Sequence, residues 1–160
     1  MTGSHSVVTM VRRYALRLRR PTALSVSVLV VDDEEPVRKF VGRVLRDAGY
    51  RITVATDGPE AIKIAENLDV LDILVSDLMM PQMNGDDLAR RLRQDRPQLK
   101  ILYLTGFSDN LFKERVMLWE DEAYLDKPCS IKSLLQAVSL LMFGSAEAPA
   151  ELKANASVSA

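Results

Sequence analysis

The sequence predicts an α/β fold, a doubly wound five-stranded parallel sheet with helices on both faces. Three observations lead there. Short β-branched runs alternate along the chain with segments of helical periodicity. The runs are nearly continuous in apolar residues, as strands covered on both faces must be. Right-handed crossovers between such strands lay their helices on both faces of one sheet.

Ser25 to Val31 (SVSVLVV) is the first strand, rich in β-branched residues and ended abruptly by Asp32-Asp33-Glu34-Glu35. Pro36 suits the first turn of a helix, in which Val37, Phe40, Val41, Val44 and Leu45 recur at helical spacing. Ala48-Gly49-Tyr50 stops it, and Arg51 to Ala55 is the second strand. Asp57-Gly58-Pro59-Glu60 opens a helix carrying Ala61, Ile62, Ile64 and Ala65. Asp72 to Asp77 (DILVSD) is the third strand, again closed by an acid. Pro81 to Gly85 is a turn cluster, after which Leu88, Ala89 and Leu92 face inward from a helix. Leu99 to Thr105 is the fourth strand. A less cleanly patterned helix is expected from about Asn110 to Trp119, and Ala123 to Leu125 is a short fifth strand. Ser130 caps a last helix whose face is Ile131, Leu134, Leu135, Val138 and Met142.

At 160 residues and 48% hydrophobic, the chain holds one domain with a core of its own. It divides into a basic leader (1–24), a domain (25–144) and an Ala/Ser/Pro/Glu tail (145–160) without periodicity, expected to be disordered. The net charge of −1 gives no footprint of a nucleic-acid binder. Its distribution is uneven: residues 1–31 hold five arginines and no acid, leaving 16 basic and 22 acidic residues for the rest. A single cysteine, Cys129, excludes an internal disulfide and agrees with a cytoplasmic location. The apolar run Ala23 to Val31 is too short to span a bilayer. It follows arginines, as in a secretory or twin-arginine signal, yet no small-residue cleavage site follows and the fold needs the run as a strand. The leader is open to four readings, a flexible arm, a membrane-surface contact, a partner contact or an upstream mis-start, and the plainest expectation is a disordered, dispensable segment. His5 lies within it, remote from any cluster of acids.

In doubly wound sheets the site lies at the carboxyl ends of the strands. Here those ends carry Asp32 and Asp33, Asp77, Thr105 and Lys127. Three carboxylates brought together repel one another unless their pKa values rise or a hard cation binds. Oxygen donors with room for water suit Mg²⁺, and no His/Cys cluster supports zinc. An aspartate in such a place can act as a nucleophile and form an acyl phosphate. Lys127 can bring positive charge to phosphoryl oxygens, and Thr105 a hydroxyl donor. Taken singly, each has a plainer reading: strand-end or helix caps for the acids, a packing threonine, a solvated lysine.

Val30-Val-Asp-Asp33, Ser76-Asp-Leu-Met-Met-Pro81 with Met83-Asn-Gly85, Leu104-Thr-Gly106 and Tyr124-Leu-Asp-Lys-Pro128 stand in order on matching strand ends. Together they resemble the receiver domains of response regulators in two-component signal transduction, the CheY-like superfamily, from about Val26 to Phe143. The resemblance implies a flavodoxin-like (βα)5 sandwich in which Asp77 accepts a phosphoryl group from a histidine kinase or histidine phosphotransfer protein. It implies Mg²⁺ held by Asp33, Asp77 and the backbone carbonyl of Met79, with Asp32 acting through water. Thr105 and Tyr124 would be the switch pair, and Lys127-Pro128 a cis peptide.

Met79 and Phe107, two residues past the acceptor and the threonine, are both apolar. They flank the route of an attacking water, so slow loss of phosphate is expected. Cys129 stands where the family often has phenylalanine, and the Met79, Met80 and Met83 group reads as packing. A haloacid-dehalogenase-type phosphatase would need a second aspartate at position 79, and Met79 argues against turnover of external phosphoesters. No enzyme activity is therefore expected beyond phosphotransfer to Asp77 and its reversal by water. A degenerate receiver serving only as a docking scaffold is the other alternative, and the complete acid, threonine and lysine set speaks against it. No DNA-binding output domain is expected, whether the chain is a stand-alone regulator or the receiver of a hybrid kinase. Output would pass to a downstream protein or a homodimer through the face of helix 4, strand 5 and helix 5. There Leu111, Phe112, Val116, Leu118 and Trp119 exceed one core-facing stripe.

Overall fold

A computed structural model of the chain describes residues 26–106 and 121–145. Within them the order is β1 (Ser27–Val31), α1 (Glu35–Asp47), β2 (Arg51–Ala55), α2 (Gly58–Glu66), β3 (Ile73–Asp77), α3 (Gly85–Asp95), β4 (Lys100–Thr105), β5 (Glu122–Asp126) and α4 (Ile131–Phe143). The five strands form one parallel sheet in the order β2-β1-β3-β4-β5. This is the expected five-stranded parallel α/β fold. The basic leader, His5, Phe107, the helix expected at Asn110–Trp119 with its apolar residues, and the tail from residue 146 lie outside the described residues.

Strand alternation sorts the core into two layers. Val28 and Val30 of β1, Ile73 and Val75 of β3, and Leu102 and Leu104 of β4 pack with Val41, Val44 and Leu45 of α1 and with Leu134 and Val138 of α4. The intervening Leu29, Val31, Leu74, Ile101 and Tyr103 pack on the opposite side with Ala61 and Ala65 of α2 and Leu88, Ala89 and Leu92 of α3. The three central strands are therefore apolar through their middles because both faces are covered, and polar only at their ends, at Ser27, Ser76, Asp77, Lys100 and Thr105.

The edges behave differently. Val54 of β2 and Tyr124 of β5 are exposed, since an edge strand has less cover than a central one. Two expected core positions also turn outward: Phe40 of α1 and Ile131 of α4. At α1 the inward place goes to Gly42, where a Cβ would already stand 3.6 Å from the Val54 side chain and 3.8 Å from that of Ile52. Ile131 opens its helix in the turn capped by Ser130, whose hydroxyl accepts from the Ser133 N–H. No described helix is long and apolar enough to cross a membrane.

Candidate functional site

The chain runs from β1 to β2 on one side of β1, then returns to β3 on the other. Such a reversal leaves a crevice at the strand ends. Val31 of β1 pairs with Ser76 of β3, so Asp32 and Asp33 emerge beside Asp77. On the far side Asp77 pairs with Leu104 and Thr105 with Asp126, which brings Thr105 and Lys127 to the same end of the sheet. The Lys127 N–H donates to the Thr105 carbonyl at 2.7 Å, fixing the chain where β5 leaves the sheet. The Lys127–Pro128 bond is cis.

One carboxylate oxygen each from Asp32, Asp33 and Asp77 lies within 4.8 Å of the others. Asp32 and Asp77 are buried and Asp33 is exposed. The Lys127 ammonium lies 2.7 Å from Asp32 Oδ2 and 3.5 Å from Asp77 Oδ2. Asp32 Oδ1 accepts from the Glu34 N–H at 2.8 Å, while Oδ2 faces the Lys127 ammonium as an ion pair. Neither Asp32 nor Asp33 caps α1; that place is taken by Glu34, without a side-chain hydrogen bond to the helix.

Burial pushes the Asp77 carboxyl up from 3.8 to about 6; the Lys127 charge opposes the rise, while Asp32 and Asp33 add to it. Burial also raises Asp32, against the hydrogen bond and charge of Lys127. For Lys127 burial acts downward, but the hydrogen bond to Asp32 and the charges of Asp32, Asp77 and Glu34 outweigh it and hold the ammonium protonated. Carboxylates crowded until one resists ionisation, with only oxygen donors among them, fit a hard divalent cation such as Mg²⁺.

The loop after β3 is built around Asp77. The Met79 N–H donates to Asp77 Oδ1 at 3.3 Å, and the Ser76 hydroxyl to the Asp77 carbonyl at 2.8 Å. Gly85 closes the loop with its N–H on the Leu78 carbonyl, and a Cβ there would collide with the Asp77 carbonyl oxygen. Gln82 sits in the left-handed region at φ 70°. Met80 and Met83 pack into the core as expected, whereas Met79 is 62% exposed at the mouth of the site. Cys129 is half-buried against the α1 and α4 layer, and burial raises its thiol pKa, the opposite of what a reactive thiolate needs.

All the expected site residues thus meet at one end of the sheet except Tyr124, which lies mid-strand opposite Tyr103 with its side chain at the surface. Two contacts have no signature in the sequence. Glu34 Oε1 lies 3.6 Å from the Lys127 ammonium, and the Arg38 guanidinium donates to the Asp32 carbonyl at 2.6 Å. Both belong to a charged stretch that reads as solvated surface.

Residues 28–139 match the family described as Response regulator receiver domain. The sensor kinase CckA of Brucella abortus is 36% identical over 119 residues, 74% of this chain but only 13% of that protein. The response regulator receiver protein CpdR of the same organism is 29% identical over 72% of this chain and 95% of its own length. Among solved structures, the Vibrio cholerae chemotaxis protein CheY4 superposes with a TM-score of 0.66 at 30% identity, covering 73% of this chain and 98% of that one.

Proposed function

The chain belongs to the response regulator receiver family, and from that premise we propose that Asp77 is its phosphoacceptor. The observation that carries the proposal is the buried Asp77 carboxylate beside Asp32 and Asp33, which follow β1, with the Lys127 ammonium 3.5 Å away. A carboxylate oxygen of Asp77 attacks the phosphorus of a phosphohistidine. The P–N bond breaks, its electron pair returns to the imidazole, and an acyl phosphate remains. Lys127 neutralises charge on the transferred group, and Thr105 at the end of β4 donates its hydroxyl to it.

Asp33, Asp77 and the Met79 carbonyl would hold Mg²⁺, with Asp32 reaching it through water. When bound, the ion supplies charge neutralisation on the transferring phosphoryl oxygens. Thr105 and Tyr124 form the switch pair: the hydroxyl moves toward the phosphoryl group and the ring, exposed here, turns inward. The donor is a histidine kinase or histidine phosphotransfer protein. The output is a protein contact in the cytoplasm, with a downstream partner or a second copy. Beyond phosphotransfer to Asp77 and its hydrolysis, the site turns over no substrate.

Incubation with acetyl phosphate and Mg²⁺, followed by intact mass, tests this. The chain should gain one phosphoryl group, and chelation of the metal should prevent it. No gain in mass would leave a docking scaffold instead.

A further inference from the structure

Among the described residues, three carboxylates surround the Lys127 ammonium: Asp32 at 2.7 Å, Asp77 at 3.5 Å and Glu34 at 3.6 Å. The first two belong to the phosphoryl site. Glu34 does not, and its side chain is 63% exposed at the rim. Its backbone is nonetheless fixed. The Glu34 N–H is held by Asp32 Oδ1, the Glu34 carbonyl accepts from the Arg38 N–H at 3.0 Å, and the Arg38 guanidinium ties the same turn to the Asp32 carbonyl. A carboxylate on a fixed turn beside a lysine restrains that lysine.

We propose that Glu34 is a positioning residue that holds the Lys127 ammonium on the Asp32 side of the pocket and so slows phosphoryl transfer to Asp77. The proposal rests on the reading of Asp77 as phosphoacceptor. For Lys127 to meet charge developing on the phosphoryl oxygens, it must loosen its contacts with the carboxylates that hold it. Asp32 and Asp77 are needed for the chemistry itself. Glu34 only resists the movement.

Glu34→Gln tests this with little change of shape, since the Glu34 side chain makes no hydrogen bond to α1. At saturating Mg²⁺ its rate of phosphorylation by acetyl phosphate should exceed wild type by about two- to five-fold, the range of an exposed ion pair. Glu35→Gln is the control. It removes the same charge one residue along, from a side chain that pairs with Lys39 at 2.5 Å, and should leave the rate at the wild-type value. Glu34→Ala should show the same gain as Glu34→Gln.

An unchanged or slower rate in either Glu34 variant overturns the proposal. So does an equal gain in Glu35→Gln, which would indicate general repulsion of an anionic donor. A wild-type chain that takes up phosphate normally, beside an unchanged Glu34→Gln, overturns this inference alone. A wild-type chain that takes up none overturns the phosphoacceptor reading, and this inference with it.

Discussion

Asp77→Asn should stabilise the metal-free protein at neutral pH. Burial makes ionisation of Asp77 costly in the folded chain, where its pKa is about 6 against an ordinary 3.8. Lys127 opposes that rise, so its attraction is already contained in the net shift. About two pKa units at about 1.36 kcal/mol each amount to about 3 kcal/mol. Since the folded value is the higher one, the folded state binds the proton more tightly. The stability associated with this group is therefore fully present below about pH 4 and is lost as pH climbs toward about 6 and beyond.

An asparagine carries no charge at any pH. Asp77→Asn should thus exceed wild type by about 2–3 kcal/mol near neutral pH in chelator, and match it near pH 4. Urea denaturation followed by far-UV circular dichroism at the two pH values measures the difference. Adding Mg²⁺ should narrow the gap, because the ion would stabilise wild type more than the variant. A variant less stable than wild type at neutral pH, or a gap that persists unchanged at pH 4, would mean that ionised Asp77 does not cost the folded chain this stability.

Other substitutions probe the surroundings. Met79→Asn replaces an exposed apolar side chain at the mouth of the site and should shorten the phosphoryl half-life several-fold, read from decay after the donor is removed; an unchanged or longer half-life would count against the apolar wall. Gly85→Ala forces a methyl group toward the Asp77 carbonyl and should cost about 1–3 kcal/mol in denaturation and slow phosphorylation; wild-type stability would show that the loop yields freely. Glu122→Gln weakens the partner of Arg93, which lies 2.5 Å away and ties α3 to β5, and should cost about 1–3 kcal/mol. A thermal midpoint unchanged in that variant would mean the tie contributes nothing net.

The parts of this molecule governed by short periodicities were legible in the sequence. β1 and β3 read as strands because their apolar positions alternate between two core layers, and the parallel order then delivered Asp32, Asp33 and Asp77 to one edge. Positions decided by distant neighbours were not legible. Phe40 and Ile131 fit a helical stripe, but Gly42 takes the inward place of α1 against β2 and Ile131 stands in the first turn of its helix. Gly85 reads as a turn glycine, whereas its constraint is the close approach of α3 to the backbone of β3. Arg93 and Glu122 stand 29 residues apart, and only the fold makes them a pair. Glu34 lies in a run of four acids, Asp32 to Glu35, and what sets it apart from Glu35 is a lysine from β5's exit, far along the chain.

If Asp77 is the phosphoacceptor, the acyl phosphate forms there and on no other carboxylate. Borohydride reduces an acyl phosphate to the alcohol, so treatment with acetyl phosphate and Mg²⁺, then borohydride, then peptide mass analysis reads the site directly. Homoserine at position 77, absent from Asp77→Asn and from chelated samples, is the expected result. Label on Asp32 or Asp33 with Asp77 intact, or no label at all, would contradict the assignment.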